Sequence, residues 1–130
     1  MEITHNFVGW FEIPVTDMDR AIRFYEKVFD IRMTRRKMGP LDMAWFPGVE
    51  QSIGSTGSLV CQPDHYKPSR DGVLIYFTSF AGDVNVELSR AEIAGGKVLM
   101  EKKQISPEIG YMAVLEDTEG NRIALHARSV

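Results

Sequence analysis

The sequence has 130 residues, of which 44% are hydrophobic and 25% are charged, a composition that suits one compact domain with a hydrophobic core. Its lysines and arginines are scattered among carboxylates and the formal net charge is -3, which excludes the charge pattern of a nucleic-acid-binding surface. No segment has the length of a membrane span or the pattern of a signal peptide, and the single cysteine, Cys61, excludes an internal disulfide. We therefore expect a cytoplasmic protein without nucleic-acid or membrane partners.

The first half of the chain predicts a strand, a helix and three further strands. Hydrophobic residues alternate along residues 8–15, which is typical of a strand with one buried face. Thr16 or Asp17 can cap the helix that follows, because a short side-chain oxygen accepts from the free amides of the first turn. The apolar face of this helix is predicted to consist of Met18, Ala21, Ile22, Tyr25, Val28 and Phe29. The three further strands are predicted at residues 31–37, 43–46 and 58–61.

The second half repeats this order of elements. A strand is predicted at residues 73–78, and a helix from about residue 83 to 94 ends at Gly95 and Gly96. Three strands follow at residues 97–102, 111–116 and 122–126, and the polar segment 62–71 separates the two halves. We therefore expect an α+β fold of two βαβββ modules, about residues 5–62 and 72–128, in one domain that spans residues 1–130. Two such modules side by side can curl into an open trough.

Two segments resemble the vicinal oxygen chelate superfamily, which includes glyoxalase I, bleomycin-resistance proteins and extradiol dioxygenases. The opening segment reads IPVTDMDRA over residues 13–21 and continues as FYEKVF over residues 24–29. The segment EDTEGNRIAL, residues 116–125, is similar to the final hairpin of these proteins. With the helix end at residues 94–96, the resemblance covers essentially the whole chain. It implies paired βαβββ modules, a cavity in the curled sheet and, commonly, a homodimer.

The resemblance also implies where a metal would be bound in the metal-dependent members, which use His and Glu side chains from the first and last strands of each module. Carried over by motif, these positions fall on Trp10, about Ser58, Leu74 (or Val73 if the register differs by one) and Ala124. Indole, isobutyl and methyl groups offer no usable lone pair to a divalent cation. We therefore expect no metal ion and no cofactor, and a glyoxalase-type metal-dependent lyase stays as the alternative if this alignment of ligands is wrong.

Strand alternation predicts which side chains line the trough. The predicted ligand-binding residues are Trp10, Trp45, Ser58, Leu74, Tyr76 and Ala124, and Glu12 and His126 face the same space. Large aromatic side chains with a few polar groups suit a small organic molecule better than an ion. In the linker, His65 and Tyr66 either fold over the trough as a lid or belong to the loop surface.

Two functions follow from this lining. The first is a small-molecule-binding protein that works without a metal and holds an organic ligand in the trough. The second is a metal-independent lyase or isomerase in which Glu12 and His126 act as general acid and base, or in which Glu12 holds the imidazole in one tautomer. The sequence leaves open whether the protein is an enzyme, because one fold can host many functions.

Overall fold

The computed structural model describes residues 1–128 and contains two helices and eight strands in two βαβββ modules. The first module consists of β1 (Phe11–Pro14), α1 (Met18–Phe29), β2 (Thr34–Met38), β3 (Leu41–Trp45) and β4 (Gly57–Cys61). The second consists of β5 (Ile75–Thr78), α2 (Val84–Ala91), β6 (Lys97–Ser106), β7 (Gly110–Glu116) and β8 (Arg122–Ala127). Ser129 and Val130, which the predicted domain includes, lie outside the described residues.

Each module forms its own four-stranded mixed sheet, so the predicted α+β class is confirmed. Sheet A has the strand order β1-β4-β3-β2 and sheet B the order β5-β8-β7-β6. In both sheets the first strand pairs parallel to the last, and the other pairs are antiparallel. Neither sheet closes into a barrel, and β1 and β5 are edge strands of separate sheets.

The two modules are equivalent in register as well as in order. Glu12 pairs with Ser58 across β1 and β4, and Tyr76 pairs with Ala124 across β5 and β8. Glu12 therefore corresponds to Tyr76, and Ser58 corresponds to Ala124. Trp10 corresponds to Leu74, because Trp10 lies two residues before Glu12 and Leu74 lies two residues before Tyr76.

Helix α1 begins as the sequence predicts. Asp17 is the N-cap, and its side chain accepts a hydrogen bond from the backbone N–H of Arg20 at 3.1 Å. The buried face consists of Met18, Ala21, Phe24, Tyr25 and Val28. The prediction omitted Phe24, and Ile22 and Phe29 from the predicted face are only half-buried. Within the described chain, no helix is both long and apolar enough to cross a bilayer.

The hydrophobic core lies between the two helices and one face of each sheet. An aromatic cluster joins the modules there, because Phe77 of β5 lies 4.9 Å from Phe29, 5.4 Å from Phe46 and 5.7 Å from Phe11, measured between ring centroids. Aromatic pairs of this kind each add about 0.5–1.5 kcal/mol beyond their buried area. The opposite face of each sheet, called here the helix-free face, carries the alternate residues of every strand.

Several element boundaries differ from the sequence prediction, among them those of β1, α2 and β6. Strand β1 begins at Phe11 rather than residue 8, and residues 1–10 are all exposed. Helix α2 ends at Ala91, followed by turns up to Gly95, whose φ is +102°. Strand β6 continues to Ser106 instead of residue 102. Its run of charged and polar residues hides the strand pattern, because β6 is an exposed edge strand and such strands commonly carry charge.

The hairpin turn between β7 and β8 links the modules through hydrogen bonds. Glu119, whose side chain is fully buried, accepts from the backbone N–H groups of Thr16 and Asp17 at 2.9 Å and from Arg20 Nε at 2.8 Å. Burial alone raises the pKa of this carboxyl, but these donors outweigh it and hold the pKa at about 2. Beside it, Tyr25 donates its hydroxyl to Asp117 at 2.6 Å, and burial raises the pKa of Asp117.

Candidate functional site

Four of the predicted residues come together on the helix-free face of sheet A. Ser58 pairs with Glu12 of β1 on one side and with Trp45 of β3 on the other, so the three side chains form one row across the sheet. Trp10, just before β1, packs edge-to-face against Trp45 with ring centroids 5.5 Å apart and is 40% exposed. Trp10, Glu12, Trp45 and Ser58 are called the first-module site below.

Two polar atoms of the first-module site are buried and have no hydrogen-bond partner among the described residues. They are Nε1 of Trp45 and Oγ of Ser58, whose residue is 0% exposed. An indole N–H can only donate, whereas a hydroxyl both donates and accepts. A buried polar group without a partner costs about 1–3 kcal/mol, so such groups are rare in native proteins and call for an explanation.

The linker between the modules reaches the first-module site through one side chain. Tyr66 donates its hydroxyl to Oε1 of Glu12 at 2.7 Å. This hydrogen bond, together with partial desolvation and the negative charge of Glu12, raises the pKa of Tyr66 above its ordinary value. His65 is exposed. Of the two residues expected either in a lid or on the loop surface, Tyr66 is the one that hydrogen bonds to this site among residues 1–128.

The other four predicted residues lie on the helix-free face of sheet B. Tyr76 pairs with Ala124, and Thr78 pairs with His126. Ala124 is fully buried and Tyr76 is 49% exposed, and Leu74 stands just before β5. The predicted lining is therefore divided between two sheets, four residues on each.

Glu12 and His126 have different hydrogen-bond partners. Glu12 accepts from Tyr66, while Nε2 of His126 lies 2.7 Å from the backbone oxygen of Ile109. Within residues 1–128, no hydrogen bond or ion pair joins Glu12 to His126. A shared general acid–base role for these two residues stays a prediction.

A cavity of about 250 Å³ lies beside Glu12, between β1 and the beginnings of β5 and β8. Its lining includes Glu12, Pro14, Lys67, Val73 and Arg122. Ligand pockets are usually somewhat larger, but this cavity shares Glu12 with the first-module site. A second, more open groove of about 600 Å³ lies between α2 and β6, away from all the predicted residues.

Sequence reasoning missed the two contacts that shape this site most. Tyr66 was expected either in a lid or on the loop surface, and no local pattern connects it to Glu12, which is 54 residues away in the sequence. Arg36 was not predicted to lie near the trough; its guanidinium lies 4.5 Å from the centre of the Trp45 ring, a cation–π contact. Arg36 and Trp45 lie on the same face of the sheet because of the register between β2 and β3. The sequence alone does not give that register.

The fold of paired βαβββ modules agrees with what comparison with known proteins finds. The family model described as the Glyoxalase/Bleomycin resistance protein/Dioxygenase superfamily matches residues 7–125. The chain belongs to this superfamily. A protein of Didymella fabae described as a glyoxylase-like domain-containing protein is 24% identical over 132 residues, which cover 97% of each chain.

Solved structures show the same fold at low sequence identity. Glyoxalase I from Zea mays superposes with a TM-score of 0.65 at 19% identity, covering 92% of this chain and 45% of the maize chain. This chain thus spans less than half of the maize protein. TnmS3, an antibiotic binding protein from Streptomyces sp. CB03234, superposes with a TM-score of 0.66 at 20% identity and covers 97% of this chain and 98% of its own.

The residues at the expected metal positions do not fit a metal ion. Trp10 and Leu74 occupy equivalent positions in the two modules, as do Ser58 and Ala124, and only Ser58 among them carries an oxygen. Among residues 1–128, no group of three or more His, Cys, Asp or Glu side chains is arranged to hold a metal. The donor set at these positions therefore supplies no metal chemistry.

Proposed function

We propose that the protein binds a small organic molecule at the first-module site without a metal ion, and that Trp45 and Ser58 hydrogen bond to it. The observation that carries this proposal is the pair of buried polar atoms without protein partners, Trp45 Nε1 and Ser58 Oγ, on neighbouring strands. Keeping two such atoms costs the free protein stability. A ligand that supplies their hydrogen bonds recovers that free energy only in the complex.

The surroundings of these two atoms support an organic ligand. The indole rings of Trp10 and Trp45 provide aromatic surface, and Glu12 adds one charged group next to the cavity of about 250 Å³. Apolar walls with a few placed polar groups are typical of small-molecule sites. The antibiotic binding protein of similar fold is consistent with this use of the scaffold.

A compound library screened by thermal shift tests the proposal. We expect hits whose stabilising effect is lost in both Ser58→Ala and Trp45→Phe. The matched control is Ser89→Ala. Ser89 lies in the groove beside α2, and among residues 1–128 its hydroxyl donates only to the carbonyl of Val86 in its own helix. Hits that survive Ser58→Ala and Trp45→Phe but disappear in Ser89→Ala would place the ligand in that groove and contradict the proposal.

A metal-independent lyase or isomerase is the alternative use of the same residues. Any turnover of a library hit should then disappear in Glu12→Gln, since the amide cannot accept the proton that a carboxylate takes. Turnover that persists in this variant would remove Glu12 from the reaction.

We also propose that the protein is a cytoplasmic homodimer. Cys61 is a free thiol, which fits a reducing compartment. On the helix-free face of sheet B, Tyr76 and Met100 are 49% and 39% exposed, and a second copy could cover such apolar surface. Light scattering should give the mass of two chains; the mass of one chain at micromolar concentration would contradict the dimer.

A further inference from the structure

The cavity of about 250 Å³ between the modules, called the intermodule cavity below, has its own set of charged side chains. Among residues 1–128, its charged lining residues are Glu12, Lys67 and Arg122. Because two cations face one carboxylate, the net charge of this lining is positive. Neither Trp45 nor Ser58 lines the cavity, so a molecule held there is separate from one that bonds to those two residues.

Arg122 faces the intermodule cavity without a carboxylate partner. The register of β7 with β8 places it opposite Glu116, but Glu116 accepts from Arg70 Nε at 2.8 Å. Within residues 1–128, no ion pair joins Arg122 to any carboxylate. The guanidinium is a planar fork of N–H donors, and its geometry matches the two oxygens of a carboxylate. Arg122 is therefore available to bind an anionic group.

Lys67 brings a second cation to the cavity from the linker. Its Nζ donates to the backbone oxygen of Pro63 at 3.1 Å, and an ammonium group has further donors that this bond does not use. No ion pair joins Lys67 to Glu12 in the described part of the chain, and Glu12 accepts instead from the hydroxyl of Tyr66 at 2.7 Å. An anion in the cavity can therefore pair with both cations.

Apolar side chains form most of the remaining wall. Ile13 of β1 and Ile75 of β5 line the cavity, as does Val73, which is 89% exposed and so lies where the cavity meets solvent. The amide of Asn121 is used within the protein: its Oδ1 accepts from the backbone N–H of Ser69 at 3.2 Å, and its Nδ2 donates to a backbone oxygen of β1. Such a lining suits a small molecule with an apolar body and a charged end.

We propose that the intermodule cavity binds a small organic monocarboxylate, whose carboxylate pairs with Arg122 and Lys67. The apolar body of this molecule lies against the isoleucine side chains of β1 and β5. Glu12 limits the ligand to one negative charge, because a second carboxylate in so small a space is repelled by its own. Monoanions therefore bind more tightly than neutral molecules or dianions of the same shape.

Three compounds with the same number of non-hydrogen atoms test the charge preference: 4-isopropylbenzoate, its amide 4-isopropylbenzamide, and terephthalate. Proton–nitrogen correlation spectra follow the backbone N–H signals of Val73 and Arg122, which line the cavity. We expect the benzoate to shift both signals, with a dissociation constant of about 1 mM, as fragments of this size reach. The amide and terephthalate should each bind about fivefold more weakly, and added salt should reduce this difference, since exposed ion pairs are screened.

Charge-removing variants test the residues. Arg122→Gln and Lys67→Gln should each weaken binding of the benzoate about threefold and leave that of the amide unchanged. The matched control is Arg23→Gln, which removes the same charge from an exposed position of α1 outside the cavity and should change neither affinity. Glu12→Gln should strengthen the binding of terephthalate, because the repelling carboxylate is gone.

The outcomes separate this site from the function proposed above. Equal affinities for the three compounds, an equal loss in Arg23→Gln and Arg122→Gln, or no shift of the Val73 and Arg122 signals would overturn the monocarboxylate site. A benzoate whose binding is lost in Ser58→Ala lies at the first-module site, which also overturns it. If the benzoate binds Ser58→Ala unchanged while no library hit depends on Ser58, the intermodule cavity stands and the function proposed above is refuted.

Discussion

Replacing Ser58 with alanine should make the free protein more stable. The Ser58 hydroxyl is fully buried and has no partner among residues 1–128, so its removal ends a desolvation penalty of about 1–3 kcal/mol. Alanine fits this position sterically, since the equivalent residue of the second module is Ala124, which is also 0% exposed. Allowing for the small packing loss, we expect a gain of about 1 kcal/mol, or about 4 °C in Tm for a domain of this size.

Urea unfolding followed by circular dichroism measures this change, and Ser79→Ala is its matched control. Ser79 is also buried, but its hydroxyl donates to the buried carboxylate of Glu87 at 2.8 Å. Ser79→Ala should therefore destabilise the protein by about 1–3 kcal/mol. If Ser58→Ala destabilises the protein to a similar extent, the Ser58 hydroxyl has a partner in the free protein and the reasoning is refuted.

The same substitution should weaken ligand binding, so stability and binding move in opposite directions. This is the pattern expected where a functional site keeps a polar group that the free fold would be better without. If the Ser58→Ala protein is more stable and binds the library hits with unchanged affinity, Ser58 destabilises the fold without contributing to ligand binding.

Three further predictions concern the contacts between the modules. The pKa of Glu119 is about 2 in the folded protein and 4.5 ordinarily. The ionised carboxylate therefore contributes about 3 kcal/mol to the free energy of unfolding, and this contribution is complete above pH 4.5 and is lost as the pH falls towards 2. The urea midpoint should depend less on pH in Glu119→Gln than in the unmodified protein, and an equal pH dependence in the two proteins would contradict this. Asp117, whose pKa is raised, acts with the opposite sign in both proteins, so the difference between them isolates Glu119. Tyr25→Phe removes the hydroxyl that donates to buried Asp117 and should lower the free energy of unfolding by about 1–3 kcal/mol. An unchanged free energy of unfolding would show that water replaces the hydroxyl. Phe77→Ala opens the half-buried aromatic cluster and should cost about 3 kcal/mol in thermal unfolding; a loss below 1 kcal/mol would show that the modules are held together elsewhere.

Much of the fold could be predicted from local patterns. The cap at Asp17 and the apolar face of α1 depend on residues within a few positions of each other. Strand alternation predicted that Glu12 and Ile13 point to opposite faces of β1, and this needs no knowledge of how the strands pair. The full length of β6 could not be predicted, because Lys102 and Lys103 stand on an exposed edge where charge is tolerated. Local hydrophobic patterns do not predict a strand whose side chains are mostly exposed to solvent.

Which side chains share a face could be predicted, but their contacts could not. Alternation and the resemblance together placed Trp10, Glu12 and Ser58 on one face of the sheet, as the strand pairing shows for Glu12 and Ser58. The loss of hydrogen-bond partners at Trp45 and Ser58 depends on the register of β3 with β4, a long-range pairing that no local pattern fixes. The contact of Tyr66 with Glu12 depends on the path of the linker, which has no periodicity to read.

A crystal structure of the protein with its strongest library hit tests the central claim most directly. We expect the compound to lie on the helix-free face of sheet A, with an acceptor oxygen within about 3.2 Å of Trp45 Nε1 and in hydrogen-bond contact with Ser58 Oγ. A compound bound elsewhere, with ordered water or a side chain of a second copy bonded to those two atoms, would contradict it.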